Sequence, residues 1–123
     1  MNAHIVLSIF HIFFVVPLFL FIGFQRADTP RWVYYAIATI GVIIFFFHAI
    51  KLFLRLQTNS SYVWVNAIHA AFVAPLLLYI GYHQKDTPRA AYELLLLLGF
   101  SAFGYHTYSL VKMLQTVDTN HSA

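Results

Sequence analysis

The chain contains no cysteine. Disulfide cross-links and thiolate metal ligands are therefore excluded, and cysteine usage says nothing about redox compartment. Charge is nearly as scarce: 9% of the 123 residues are Asp, Glu, Lys or Arg, against 61% hydrophobic and 19% aromatic. A water-soluble domain of this size would have too little polar material to cover its surface, so the chain reads as a multi-pass integral membrane protein with the lipid bilayer as its first partner. The formal net charge of +3 is too small to point to nucleic acid, and the basic residues stand near the ends of apolar runs, where headgroup anchoring accounts for them. Nothing resembles a nucleophile triad, a Walker loop or a metalloprotease helix. A retinal-type pigment is a poor fit, because Lys51 lies near the end of a run.

The apolar runs cover residues 5–24, 32–54, 62–82 and 90–113. Each is close to the roughly 20 residues that cross a hydrocarbon core of about 30 Å, so four transmembrane helices use up almost the whole sequence. The first run lacks a basic leader and has a full-length counterpart later in the chain, which argues against a cleaved signal peptide.

A direct repeat organises these runs. "IGFQRADTPR" at 22–31 returns as "IGYHQKDTPR" at 80–89, and an ungapped shift of 58 matches 20 of the 48 positions between His11 and Thr58. The matches include His11 with His69, Pro17 with Pro75, Tyr34 with Tyr92, Gly41 with Gly99 and His48 with His106. The expected architecture is an all-α, four-helix up-down bundle: hairpin repeats 1–58 and 59–116 and a polar tail 117–123. Each repeat holds an even number of spans, so both enter from the same side, related by a pseudo-twofold axis along the membrane normal.

The matched positions fall at helical spacing. Tyr34, Gly41, Phe45, His48, Leu52 and Leu56 form one stripe, and His11, Phe14, Val15, Leu18 and Ile22 another. Both faces are expected to look inward, which places one histidine per helix (His11, His48, His69 and His106) in the interior. Counted from the short loop near Asn59 at about 1.5 Å per residue, His48 and His69 sit roughly 15 Å deep, and the repeat carries that depth to the other two. Counting from the DTPR turns leaves a mismatch of about one helical turn, so the four form either a ring or two close pairs. A lone membrane histidine is usually a hydrogen-bonded core residue. Four on matched faces suit a transition metal or haem iron, which takes neutral imidazoles from different helices.

Several neighbours extend this candidate site. Lys51 and Arg55 follow His48 and could pair with haem propionates, while Gly41 and Gly99 would admit a flat macrocycle or simply let helices pack closely. His4 and Ser8 before His11, with Tyr62 and Asn66 before His69, form polar stripes leading from the terminal side. Ordinary decoration of helix ends would also explain them. Toward the DTPR turns the interior is apolar and closed.

The DTPR turns themselves suit helix starts, with Asp28 or Thr29 capping, Pro30 in the first turn and Arg31 at the headgroups. The alternative is an anion or headgroup site on which Arg31 and Arg89 converge. Pro17 and Pro75 each remove a helical hydrogen bond, loosening the carbonyls of Phe13 and Ala71 beside a histidine.

Three functions are compatible with this pattern. The first is a cofactor protein holding haem b, or copper, zinc or iron, on the histidines, with electron transfer as the natural use of a haem. The second is a histidine relay for protons or ions, weakened by the lack of a symmetric polar exit, since Glu93 and Thr39 have the repeat mates Tyr35 and Leu97. The third is a structural or assembly subunit, alone or as a homo-oligomer or membrane-complex partner, whose histidines join helices. Four basic residues at the DTPR end against Lys51, Arg55 and Lys112 at the other lean toward cytoplasmic turns.

Overall fold

Proline and a doubled turn explain most of the local structure. The computed structural model describes residues 3–59, 61 and 63–122, the last two by backbone alone, and all regular structure among them is helical. Helix α1 (Ala3–Phe10) passes through a π-helical turn (His11–Val15) into α2 (Val16–Gln25), a 3-10 turn (Arg26–Asp28) and α3 (Arg31–Thr58). Then come α4 (Val63–Ile68), a second π-helical turn (His69–Val73), α5 (Ala74–His83), a second 3-10 turn (Gln84–Asp86) and α6 (Arg89–Ser122). From His11 to Arg31 every element start recurs 58 residues later. Four helical stretches are long and apolar enough to cross a membrane: Ala3–Asp28, Arg31–Thr58, Val63–Asp86 and Arg89–Asn120.

The π-helical turns sit immediately before the prolines. Pro17 has no N–H to give the Phe13 carbonyl and its ring crowds that oxygen. The preceding turn widens, so that the Val16 N–H bonds to the His11 carbonyl five residues back, and the Ala74 N–H does the same to His69. This changes the expected inward face. Continued at an α-helical period, the first stripe buries Phe14, Leu18 and Ile22; Ile22 is buried as expected, but Val16, Phe19 and Gly23 are buried beside it and Phe14 is exposed. One extra residue per turn rotates the rest of the helix by about 100°. On α3 the stripe holds for Tyr34 and Gly41, with Val33 and Ile37 beside them, but Phe45 and Leu56 are exposed.

The helix starts after the DTPR turns also differ from expectation. Pro30 is the residue before α3, extended at φ −59° and ψ 144°, and no side chain caps the helix. The Val33 N–H bonds to the Pro30 carbonyl, and the Ala91 N–H to that of Pro88. Thr29 is turned inward, its φ and ψ of −60° and 131° pointing it away from the α3 amides. At its far end α3 stops where Asn59 turns left-handed and returns its N–H to Arg55, as a short polar side chain permits.

The chain divides into two compact units, one of Gln25–Tyr92 and one of Met1–Phe24 with Glu93–Ala123. In the first, α3 packs on α5 at a contact that only glycine allows: a Cβ at Gly81 would stand 2.6 Å from the Ala38 Cβ and 3.0 Å from the Tyr34 carbonyl oxygen. Ile37, Leu77 and Ile80 are fully buried around it. In the second, Phe19 and Leu20 meet α6 at Gly99, and the rings of Phe24 and Phe100 meet edge to face. Close van der Waals contact across small residues is how such apolar helices pack against one another.

Candidate functional site

Each unit brings two of the four histidines together. In unit Gln25–Tyr92, His48 of α3 stacks on His69, the first residue of its π-helical turn, with ring centroids 4.4 Å apart and planes 23° from parallel. In the other unit, His11 opens its π-helical turn and stacks on His106 of α6 at 4.2 Å and 22°. The shift of 58 maps one pair onto the other.

Backbone oxygens fix the tautomers. His69 Nδ1 lies 2.7 Å from the Val65 carbonyl oxygen and His11 Nδ1 2.8 Å from that of Leu7. A carbonyl can only accept, so Nδ1 carries the proton and, in the neutral ring, Nε2 keeps its lone pair. His48 Nδ1 lies 2.9 Å from the Asn66 side-chain oxygen, an acceptor that selects the same tautomer and ties α3 to α4. An aromatic edge braces each pair, Phe10 against His11 and Phe47 against His48.

Among the described residues no group of three or more His, Cys, Asp or Glu side chains has metal-site spacing, so the histidines stand as pairs. At Gly41 a Cβ would meet Leu77 and Leu78 at 3.1–3.2 Å, and at Gly99 it would meet Leu20 at 3.0 Å. Leucine therefore fills the space a macrocycle would need beside these glycines. Lys51 is exposed, its ammonium 5.6 Å from the Phe47 ring centroid, and Arg55 lies one turn further on, half-buried. Of the polar stripes, Ser8 and Asn66 are buried rather than open to the surface, His4 is exposed, and Tyr62 lies outside the described residues. Thr39 donates to its own helix at Tyr35, and Glu93 is exposed.

A second polar cluster lies at the DTPR end, where the sequence suggests helix starts or an anion site of converging arginines. The hydroxyls of Tyr34 and Tyr92, repeat mates, are 2.7 Å apart and buried. Tyr34 also donates to the Arg26 carbonyl at 2.7 Å and Tyr92 to that of Gln84 at 2.9 Å. The identity of the two tyrosines is visible in the repeat. Their contact is not, because a periodic pattern does not say how near the axis each matched residue stands. The turns they brace are strained: Arg26 and Gln84 both have φ of 52°, and at Gln84 ψ is −128°, a region that favours glycine.

Comparison with protein-family models, with curated proteins and with solved structures gives no match. The functional reading therefore rests on the chain's own chemistry.

Proposed function

We propose that the chain is a multi-pass integral membrane protein whose paired histidines bind a transition metal. Membrane insertion is supported by the large apolar and aromatic side chains left open to the surroundings, such as Phe13 at 74% exposure, a surface that water penalises and lipid does not. Trp32 and Tyr82, at 71% and 83%, stand near the DTPR turns as interfacial aromatics do. The recurrence of element starts supports two hairpin repeats about a pseudo-twofold axis.

The observation that carries the metal reading is the anchoring of His11 and His69. Each has Nδ1 bonded to a backbone carbonyl, opens a π-helical turn and touches a histidine of a neighbouring helix. A backbone bond at Nδ1 is the usual support for a histidine that ligates through Nε2, and π-helical turns concentrate at functional sites. Each pair supplies two ligands. Two imidazoles would also suit haem b, but leucine packing at Gly41 and Gly99 favours a compact ion, copper, zinc or iron, over a macrocycle. The Nε2 atoms of each pair would hold the ion, for which the stacked rings would have to part. Electron transfer is the function that iron or copper would serve, with Lys51 and Arg55 as the basic side chains nearest in sequence to His48.

The test is elemental analysis and visible absorption of protein purified from cells supplied with copper, zinc, iron and haem precursor. Bound metal or a Soret band supports the reading, and protein clean of both under every supplement sinks it.

The His48–Asn66 bond favours a second reading, in which the histidines join helices and the chain serves as an assembly subunit. In that case replacing the histidines perturbs helix association and nothing else. The relay reading finds less support: within unit Gln25–Tyr92 the stretch between His48 and Tyr34 is lined by buried Ile37, Leu77 and Ile80. A pH-dependent proton leak in liposomes that disappears in His48→Ala would revive it.

A further inference from the structure

Between the two 3-10 turns lies an open cleft of about 200 Å³, lined by Ala27, Thr29, Arg31, Tyr34, Gln84 and Lys85, all within unit Gln25–Tyr92. Its lining carries two cations and no carboxylate; Asp28 and Asp86 are exposed and outside it. Thr29 is only 6% exposed, yet its hydroxyl has no hydrogen-bond partner. It stands beside the Tyr34 hydroxyl, whose own proton goes to the Arg26 carbonyl at 2.7 Å. The other copy of the turn serves as an internal control, because the Thr87 hydroxyl donates to the Ile80 carbonyl at 3.4 Å. A buried hydroxyl left unsatisfied is costly and rare, and an unfilled ligand position is one reason for it to persist.

We propose that this cleft binds a phosphomonoester-class anion. Arg31 offers a planar fork to two phosphate oxygens, Lys85 a second positive charge, and the buried Thr29 hydroxyl would turn to donate to a third oxygen on binding. Two cations match a dianion better than the single charge of a phosphodiester. The site differs from the symmetric one that two converging arginines would make: Arg89 does not line the cleft, and the repeat mate of Lys85 is Ala27. The anion comes either from solution or from a lipid such as phosphatidic acid. The lipid source rests on the membrane-spanning reading, which puts the turns at headgroup depth, whereas binding of free phosphate in detergent does not.

Thermal unfolding in detergent, in sodium phosphate against sodium chloride at equal ionic strength, tests the first source. Phosphate should raise the midpoint saturably, as a ligand specific to the folded state does. In Lys85→Gln the affinity should fall about tenfold, the loss of one charge-assisted bond, while Lys112→Gln, outside the cleft, keeps it. Thr29→Val should unfold no earlier than the parent in chloride, having no bond to lose, but respond less to phosphate. Phosphatidylcholine vesicles with and without phosphatidic acid test the second source. Stabilisation by phosphatidic acid alone, lost in Lys85→Gln, identifies a headgroup site, and a response in detergent identifies a free-anion site. No response to either, or responses unchanged in both Lys85→Gln and Thr29→Val, overturns the proposal. Efficient insertion of the protein into the vesicles keeps that result separate from a failure of the membrane reading.

Discussion

The tyrosine pair at the DTPR end has three short contacts and only two hydroxyl protons. Tyr34 and Tyr92 can satisfy the Arg26 and Gln84 carbonyls, or one can give its proton to the other, but both cannot happen at once. Each proton makes one hydrogen bond, worth about 0.5–1.5 kcal/mol in water-soluble proteins and near 0.6 kcal/mol on average between membrane helices. The carbonyls are not orphaned by losing a tyrosine, because Arg26 keeps the Thr29 N–H and Gln84 the Thr87 N–H, each at 3.0 Å. Tyr34→Phe should therefore cost one bond, about 1 kcal/mol, and Tyr92→Phe the same. The double variant should cost about 2 kcal/mol, leaving a coupling energy within about 0.5 kcal/mol of zero. Reversible unfolding in mixed micelles, followed by circular dichroism, measures all four corners of the cycle. If a third proton joined the cluster, each single variant would lose two bonds and the double only three. The double would then fall short of the sum by about 1 kcal/mol, which would refute the proton count.

Other perturbations probe the backbone and the histidine pairs. Gln84→Gly should raise stability by about 1 kcal/mol, the relief of 1–3 kcal/mol of left-handed strain set against glycine's added backbone entropy; a loss on denaturant unfolding would show that the turn is unstrained. Gly81→Ala drives a methyl into Ala38 and the Tyr34 carbonyl and should destabilise by about 1–3 kcal/mol by overpacking, whereas neutral thermal unfolding would show that α3 and α5 have room to part. Asn66→Leu removes the acceptor that fixes the His48 ring. It should weaken metal binding about 10- to 100-fold in competition with a chelator, and unchanged affinity would assign Asn66 to helix association alone.

Much of the fold was legible in the sequence because apolar length and the repeat are long-range signals that single residues cannot blur. Four stretches of membrane-crossing length and apolarity coincide with the four apolar runs, and the helices depart from α geometry immediately before Pro17 and Pro75. The form of that disturbance was not legible. Continuing a period of 3.6 through Pro17 puts Phe14 and Leu18 on the buried face, and one inserted residue moves burial to Val16 and Phe19. Capping by Thr29 fails for a related reason: a threonine before proline reads as a helix start, and only the packed structure reveals the side chain turned toward Tyr34 instead. Of the candidate site, the four histidines are found by the repeat. Their division into stacked pairs depends on which helices become neighbours, and a direct repeat leaves that open.

Metal stoichiometry of the purified protein tests the central claim most directly. With one site per histidine pair, inductively coupled plasma mass spectrometry should find about two ions per chain at saturation, since each pair supplies its own two imidazoles. His69→Ala should retain the site at His11 and His106 and lose the other, and His11→Ala with His69→Ala together should retain neither while the helical content stays intact. Protein that holds no metal after exposure to excess ion, or a double variant that binds as much as the parent, would contradict the account.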